Sequence, residues 1–368
     1  MLAGPEGDHD ELQIDAGLLE SLGVRLLAAA GMSELCARTV SQHVVGNSLL
    51  GVDSHGIVRF SQYLEFISAG SIDPAAGPLV VTDEDAFTRM DGRAGHGVPA
   101  MVRLAASTAD KARSTGMASG ALVNCGHTGR IGAYAESMAR QGCFALIIGG
   151  GGHTRGNPKV APYGGREGIM GTNPYTLAMP GGPTGAVVVD FATSTIAQGK
   201  LLAASKTGVP LPPGMILDRA GRSSTNAADY YAGGVLLPAA GPKGYGLGLI
   251  GELLAHGVLG RSRALNWLVV ALDLATLSDG SDFQARIDDY LAWVKSRAPA
   301  EGFDEVLIPG EPEHRCRAIR ECEGIPVARE IWDELLGWIA RSGIDLPEGL
   351  EAVSYTHLRA HETDSYLV

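Results

Sequence analysis

The chain has 368 residues, with 29 Lys plus Arg against 41 Asp plus Glu, a formal net charge of -12 and 45% hydrophobic residues. That balance argues against a disordered polymer, against a dedicated nucleic-acid binder and against attachment to an anionic membrane surface. Five cysteines without a C-x-x-C pair predict reduced thiols rather than disulfides or a structural zinc.

In chain order, residues 1–10 read as a frayed end. Helical periodicity follows over Ile14–Ala30, then from an N-cap at Ser33 through Leu49. A third helix is expected from about Ser54 to Ser68, capped by Asp53 or Ser54 and ended by Gly70. From Pro78 the texture changes. A short strand is expected at Leu79–Val81, a helix at Ala100–Thr115 and a strand at Ala118–Cys125. A glycine turn leads to a helix at Ile131–Gln141 and a strand at Phe144–Ile148, which runs into Gly149–Gly152. Further on come a strand at Val187–Val189 and helices at Ser194–Lys206 and Lys243–Leu259. The last third carries strands at Trp267–Leu272 and Val306–Ile308, and helices at Phe283–Arg297 and Ala328–Arg341.

No apolar run reaches the roughly 18 residues that span a bilayer. The acidic start lacks the basic and apolar regions of a secretory signal, so a cytoplasmic protein is expected. The divisions read as a helical segment 1–75, a sheet-based segment 76–260 and a segment 261–352 that completes a discontinuous helical domain. The stretch 353–368 has neither helical nor strand period and resembles translated adapter sequence.

Five segments carry chemistry. If Gly51–Arg59 opens a helix, His55 and Arg59 share a face, with Tyr63 one turn further. Arg offers a planar fork for a carboxylate, and His exchanges a proton near neutral pH. A small acid with a carboxylate beside a reacting oxygen suits that pair. From the residues alone, a surface arginine and a capping histidine are the favoured reading of the same segment.

In Asn124–Gly132, strand, glycine turn and helix start form an anion-friendly geometry. His127 is there a catalytic candidate or a backbone partner. The spacing G-x-x-G-x-x-G and the missing acid after the next strand exclude an ordinary Rossmann fingerprint. The Gly149–Arg155 run, with Gly171–Pro174, allows close approach to a flat or phosphorylated ligand, or is a surface loop; His153 and Arg155 could meet a phosphate. Asp190, at a buried strand's end, marks a binding crevice or caps a helix. Lys243, in a glycine-rich helix start, reaches a phosphate or is merely exposed. There is no H-E-x-x-H, zinc cysteine grouping, EF-hand loop or G-x-S-x-G elbow, so no metal is expected.

Together, in this order, these motifs resemble the malate/L-lactate dehydrogenase family of the non-Rossmann type. The matching text is GVDSHGIVRFSQYLEFISAGSIDP (51–74), NCGHTGRIGAYAE (124–136), VAPYGG (160–165), GTNP (171–174), VVVDFATS (187–194), GPKGYGLGL (241–249) and LIPGE (307–311).

The resemblance implies an α/β fold of the α+β type. Its nucleotide-binding domain would hold a largely antiparallel sheet flanked by helices, beside a discontinuous helical domain. It implies a homodimer that uses NAD or NADP to interconvert a small 2-hydroxy acid and its 2-oxo acid. Reduction of a cyclic imino acid such as Δ1-piperideine-2-carboxylate is the rival activity, and a catalytically silent nucleotide-binding dimer the rival of another class. His55 would exchange the proton, with His127 as the second histidine and its rival. Ser54 and Arg59 would hold the substrate carboxylate, with Tyr63 on the same face. The nucleotide would meet Gly150, Gly151, Gly152, Thr172, Asn173, Asp190, Phe191, Ala192, Lys243 and Gly244.

Overall fold

A computed structural model describes residues 11–152, 159–182, 185–196, 198–261, 265–278, 282–347 and 349–350. The chain enters as a strand, β1 (Glu11–Ile14), where the apolar period predicts helix from Ile14. The helix begins only after Asp15, whose carboxylate accepts from the Leu18 N–H at 3.0 Å and so caps α1 (Ala16–Ala29). Ser33 caps α2 (Glu34–Leu49) as its position predicts. The third helix is shorter than expected. Asp53–His55 make a separate 3-10 turn, and α3 spans Arg59–Ser68.

A hairpin follows, β2 (Leu79–Glu84) and β3 (Phe87–Asp91), the second strand of which the sequence reading missed. His96 caps α4 (Gly97–Thr115), its Nδ1 accepting from the Val98 N–H. Then come β4 (Met117–Val123), α5 (Gly132–Ala139), β5 (Cys143–Gly150), an unforeseen β6 (Tyr175–Met179), and β7 (Val187–Phe191). α6 (Gln198–Thr207) leads to a small excursion of β8 (Ile216–Leu217), β9 (Ser223–Ser224), α7 (Ala227–Tyr231) and β10 (Val235–Leu236). α8 (Pro242–Glu252) runs on into a π turn at Leu253–Val258.

The chain ends with β11 (Asn266–Asp273), α9 (Leu274–Leu277), α10 (Phe283–Lys295), α11 (Glu311–Glu323), β12 (Ile325–Ala328) and α12 (Arg329–Ser342). Val306–Ile308, expected as a strand, is irregular. Its backbone is used locally: the Ile308 N–H donates to Glu311 Oε2 at 3.0 Å, and the Pro309 carbonyl accepts from Val188 at 3.2 Å.

The chain divides into two units, one of residues up to Ala75 with those from Glu313 on, the other Ala76–Pro312. In the first, β1 pairs antiparallel with β12, and Leu19, Leu22 and Leu26 of α1 and Trp332 and Leu335 of α12 are buried. In the second, a seven-stranded sheet has the order β2-β3-β4-β11-β5-β6-β7. Every neighbouring pair is antiparallel except β3 with β4. This is the largely antiparallel, non-Rossmann sheet that the family resemblance implies.

β11 lies in the middle of that sheet, between β4 and β5. The expected return to the helical part after residue 260 is therefore too early, and the chain leaves the sheet unit only near Pro312. The core of this unit joins Met101, Leu104 and Ala105 of α4, Tyr134 and Met138 of α5, Ala145 and Ile147 of β5 and Trp267 and Val269 of β11.

Candidate active site

In the first unit the segment after α2 is turned back by hydrogen bonds rather than carried on as helix. Asn47, buried in the last turn of α2, donates from Nδ2 to the His55 carbonyl at 3.2 Å, and Ser48 Oγ accepts from the Ile57 N–H at 3.0 Å. A Cβ on Gly56 would overlap Ser48 Oγ, so only glycine lets the turn lie against α2. Arg320 of α11 grips the Asp53 carboxylate with both Nη atoms, at 2.6 and 3.2 Å, and Nη1 also donates to the Ser48 carbonyl.

His55 and Arg59 are therefore not on one helical face, and neither Asp53 nor Ser54 caps α3. They meet through Ser54 instead. Ser54 Oγ lies 3.2 Å from His55 Nδ1, and Arg59 Nε donates to the Ser54 carbonyl at 2.6 Å. Arg59 Nη1 donates to Gln62 Oε1. Ser54, His55 and Arg59 are half-buried. Burial pushes the Arg59 pKa down, partly opposed by Tyr63. Tyr63 is placed differently from its fellow candidates. It is fully buried in the core, and desolvation pushes its phenol far above the usual range despite the nearby Arg59 charge.

In the second unit the Asn124–Gly132 turn is organised from within. His127 Nδ1 accepts from the Gly129 N–H at 3.2 Å, which leaves the ring proton on Nε2 in the neutral form. The helix start expected to attract an anion already holds one. Asp190 Oδ2 accepts from the Gly132 N–H, the first residue of α5, at 2.8 Å, and Asp190 Oδ1 accepts from Thr176 Oγ1 at 2.7 Å. The buried Arg130 stands 3.9 Å from Asp190 Oδ2 and 3.9 Å from Glu136. Asp190 thus caps α5 from a neighbouring strand, which satisfies an orphan N–H and complements the helix dipole.

The glycine run is not the open loop the sequence suggests. β5 continues through Gly149 and Gly150, which pair with Trp267 and Asn266. A Cβ on Gly149 would strike the Trp267 ring, and one on Gly150 would overlap the Gly251 carbonyl of α8. Gly152 and Gly171 abut, a Cβ on Gly152 falling 2.8 Å from the Gly171 Cα. The smallness of these residues serves backbone packing. His153 and Arg155 lie outside the described residues.

Facing these loops, α8 presents Gly244, Gly248, Gly251 and Glu252. A Cβ on Gly244 would overlap the Ala239 carbonyl, and one on Gly248 would sit 3.1 Å from Thr193 Oγ1. Glu252, which the sequence reading missed, is buried, and its carboxylate accepts from Gly151, Gly171 and Asn173 among the described residues. Oε2 accepts from the Gly151 N–H at 3.0 Å; Oε1 accepts from the Gly171 N–H at 3.0 Å and from Asn173 Nδ2 at 3.1 Å. The signal was available, since Glu252 stands four residues beyond Gly248 on the glycine stripe of one helix. Asn173 Nδ2 also donates to the Gly248 carbonyl at 2.9 Å, while Asn173 Oδ1 is buried with no hydrogen-bond partner among the described residues.

The remaining candidates line the same loops. The Thr172 carbonyl accepts from Thr193 N–H and Oγ1 at 2.9 and 3.1 Å. Phe191 stacks on Tyr175 with ring centroids 6.3 Å apart, and Ala192 is half-buried beside it. Lys243 is exposed in the first turn of α8, next to the buried Gly244. Among the described residues no group of three or more His, Cys, Asp or Glu side chains could hold a metal ion, and no helix is long and apolar enough to cross a membrane.

A profile described as malate/L-lactate dehydrogenase matches residues 14–336. The chain belongs to that family. It is 30% identical over 345 residues to the L-sulfolactate dehydrogenase of Methanocaldococcus jannaschii, covering 90% of this chain and 98% of the relative. The solved structure of that dehydrogenase superposes with a TM-score of 0.81, over 91% of this chain and 98% of the other. Hydroxycarboxylate dehydrogenase B of Escherichia coli K12 is 31% identical over 354 residues, 91% of this chain and 95% of the relative. A Δ1-pyrroline-2-carboxylate/Δ1-piperideine-2-carboxylate reductase of Pseudomonas putida is 29% identical over 327 residues, 85% of this chain and 92% of the relative. This member of the dehydrogenase family therefore has relatives named both for hydroxy acids and for a cyclic imino acid.

Proposed function

We propose that this family member is a nicotinamide-dependent oxidoreductase that interconverts a small 2-hydroxy acid and its 2-oxo acid. The observation that carries the reading is the Ser54–His55–Arg59 cluster, in which one serine ties a histidine to an arginine. Arg59 spends Nε and Nη1 on its own segment, which fixes the guanidinium plane, and its remaining N–H groups would pair with the substrate carboxylate. A held carboxylate sets where the reacting carbon lies, and positioning of this kind lowers the barrier.

His55 would exchange the proton at the substrate oxygen. Its Nδ1 is engaged by Ser54, so Nε2 is the exchanging atom. Reduction of a 2-oxo acid calls for the imidazolium, whose Nδ1–H would donate to Ser54 Oγ while the Nε2 proton passes to the substrate oxygen and leaves the neutral ring. The reverse proton flow serves oxidation. His127, whose Nδ1 is occupied by the Gly129 N–H, is the rival candidate for the proton exchange, through its Nε2.

The second unit suits a dinucleotide in its donors and acceptors. Asn173 Oδ1 is a buried acceptor without a partner among the described residues, and a dinucleotide offers carboxamide and hydroxyl donors. Lys243, exposed in the first turn of α8, would face phosphate. The Gly150–Gly152 and Thr172–Asn173 loops, Phe191 and Ala192 would contact the nucleotide, and Asp190 would shape that surface through α5. The cofactor, when bound, supplies or accepts the hydride. NAD and NADP are both compatible with these residues. The homodimer implied by the resemblance belongs to this reading and is open to a sedimentation test.

A second substrate class is favoured by the Pseudomonas putida relative, which is named as a reductase of cyclic imino acids. Arg59 would hold the carboxylate of such a substrate equally well. The deciding experiment follows NADH and NADPH absorbance against pyruvate, oxaloacetate, sulfopyruvate and Δ1-piperideine-2-carboxylate. Oxidation with a 2-oxo acid is the expected result. Turnover of the imine alone moves the assignment to the second class, and cofactor binding without any turnover moves it to a silent binder.

A further inference from the structure

We propose that Glu252 is a positioning residue that sets the spacing of the two glycine loops and, through them, the affinity for the nicotinamide cofactor; this rests on the cofactor reading above. The loops at Gly149–Gly152 and Gly171–Asn173 come from opposite ends of a segment that leaves the sheet after β5 and re-enters it at β6. The Gly149 N–H donates to the Pro174 carbonyl at 2.9 Å and ties the two stretches at their base. Beyond that bond Glu252 links them, because one carboxylate takes an N–H from Gly151, an N–H from Gly171 and a further one from the Asn173 amide.

Three further features make the arrangement specific. First, backbone presses on backbone where Gly152 meets Gly171, so no side chain sets the spacing at that contact. Second, Asn173 has a positive φ of 34°, a conformation uncommon for a side-chain-bearing residue, and its amide is pinned by Glu252 and by the Gly248 carbonyl. Turning that amide over would set Oδ1 against a carboxylate and a carbonyl. Glu252 therefore also decides which way Asn173 presents its unpartnered acceptor. Third, the helix changes from α to π immediately after Glu252, at Leu253. Such insertions mark places where a helix is adjusted to keep a residue in register. The Gly151 and Gly171 N–H groups are consequently committed to an internal carboxylate, and the loops act on a ligand through their shape and through Asn173.

Replacing Glu252 with glutamine keeps size and removes one acceptor. The new amide must face at least one of the three N–H donors with an N–H of its own. The test titrates NADH and NADPH into wild type and Glu252→Gln by protein fluorescence, measures steady-state rates, and follows amide exchange in peptides covering 149–152 and 170–173. The expected result is cofactor binding weakened roughly tenfold or more, with a matching rise in cofactor KM. At saturating cofactor, kcat should stay within about threefold, because the substrate-handling residues are unchanged. Exchange should accelerate in both peptides. If Glu252→Gln does not fold, Glu252→Asp, which keeps the charge and shortens the reach, should show the same split. A folded variant with a lowered melting temperature but unaltered cofactor affinity overturns the positioning role and leaves the cofactor reading intact. Wild-type protein that binds neither nicotinamide cofactor overturns both.

Discussion

Arg320 and Asp53 are 267 residues apart in sequence, yet the Arg320 fork closes on the Asp53 carboxylate and steadies the turn that carries Ser54 and His55. The pair lies partly in solvent, so its contribution to stability is small, on the order of 0–1 kcal/mol. Its effect on geometry is larger, because Nη1 simultaneously ties the turn to the Ser48 carbonyl at the end of α2. Arg320→Ala should lower kcat by roughly tenfold while the substrate KM and the melting temperature change little. Arg320→Lys, which keeps the charge without the fork, should restore only part of the rate. Wild-type kcat in the alanine variant would remove Arg320 from any positioning role.

His55→Ala should reduce kcat by about 10²–10⁴-fold in both reaction directions, the usual range for loss of a positioned acid/base group. Cofactor binding, read by fluorescence titration, should be unchanged. If His127→Ala shows the larger loss instead, the roles of the two histidines are exchanged.

Arg59→Ala should raise the KM for the carboxylate substrate by roughly 10–100-fold, the range expected for one lost charge-assisted hydrogen-bonding partner. Arg59→Lys should recover little, since an ammonium cannot reproduce the fork that binds a carboxylate while leaning on Ser54 and Gln62. Unaltered saturation by a 2-oxo acid would place the carboxylate clamp elsewhere.

His96 provides a pH signature that is independent of catalysis. It caps α4 through Nδ1 and is buried, and desolvation pushes its pKa down to about 3. The unfolded chain takes up this proton near pH 6.5, whereas the folded chain does not until about pH 3. Between those values the unfolded state binds more protons, so stability contributed by the neutral cap is complete above pH 6.5 and falls as pH drops, by at most about 1.4 kcal/mol per pH unit. His96→Asn keeps a capping oxygen and removes the titration. Its denaturation midpoint between pH 6.5 and 4 should fall less steeply than that of wild type; parallel curves would exclude His96 as a source of acid sensitivity.

Gly150→Ala probes the close approach of β5 to α8. The added Cβ would overlap the Gly251 carbonyl, a backbone atom that cannot swing aside. Overpacking of this kind costs roughly 1–3 kcal/mol. A urea midpoint equal to wild type would show that the helix backs away freely from the sheet.

The resemblance to the family, the exclusion of a Rossmann fingerprint and most long helices were legible in the sequence, because each rests on local spacing. Ser33 announced its cap, and the glycine order after β4 excluded a dinucleotide fingerprint. The errors have a common origin. β3, β6 and β12 are short or half-exposed strands whose pairing partners supply what their own residues do not. The strand expected at Val306–Ile308 is lost because Ile308 gives its N–H to Glu311 and the Pro309 carbonyl serves β7.

What the sequence determined by itself was which chemical groups are present and near each other along the chain: a serine, a histidine and an arginine within six residues, an acid at a strand's end, and a glycine-rich helix. Only the tertiary structure decided what those groups do to one another. It turned Asp190 into a cap for α5, set Gly149 and Gly150 inside a strand against Trp267 and α8, and recruited Glu252 and Arg320 from distant segments. The physical reason is that hydrogen bonds and steric contacts act over a few ångströms in space. A carboxylate 101 residues from the N–H it accepts leaves no trace in local periodicity.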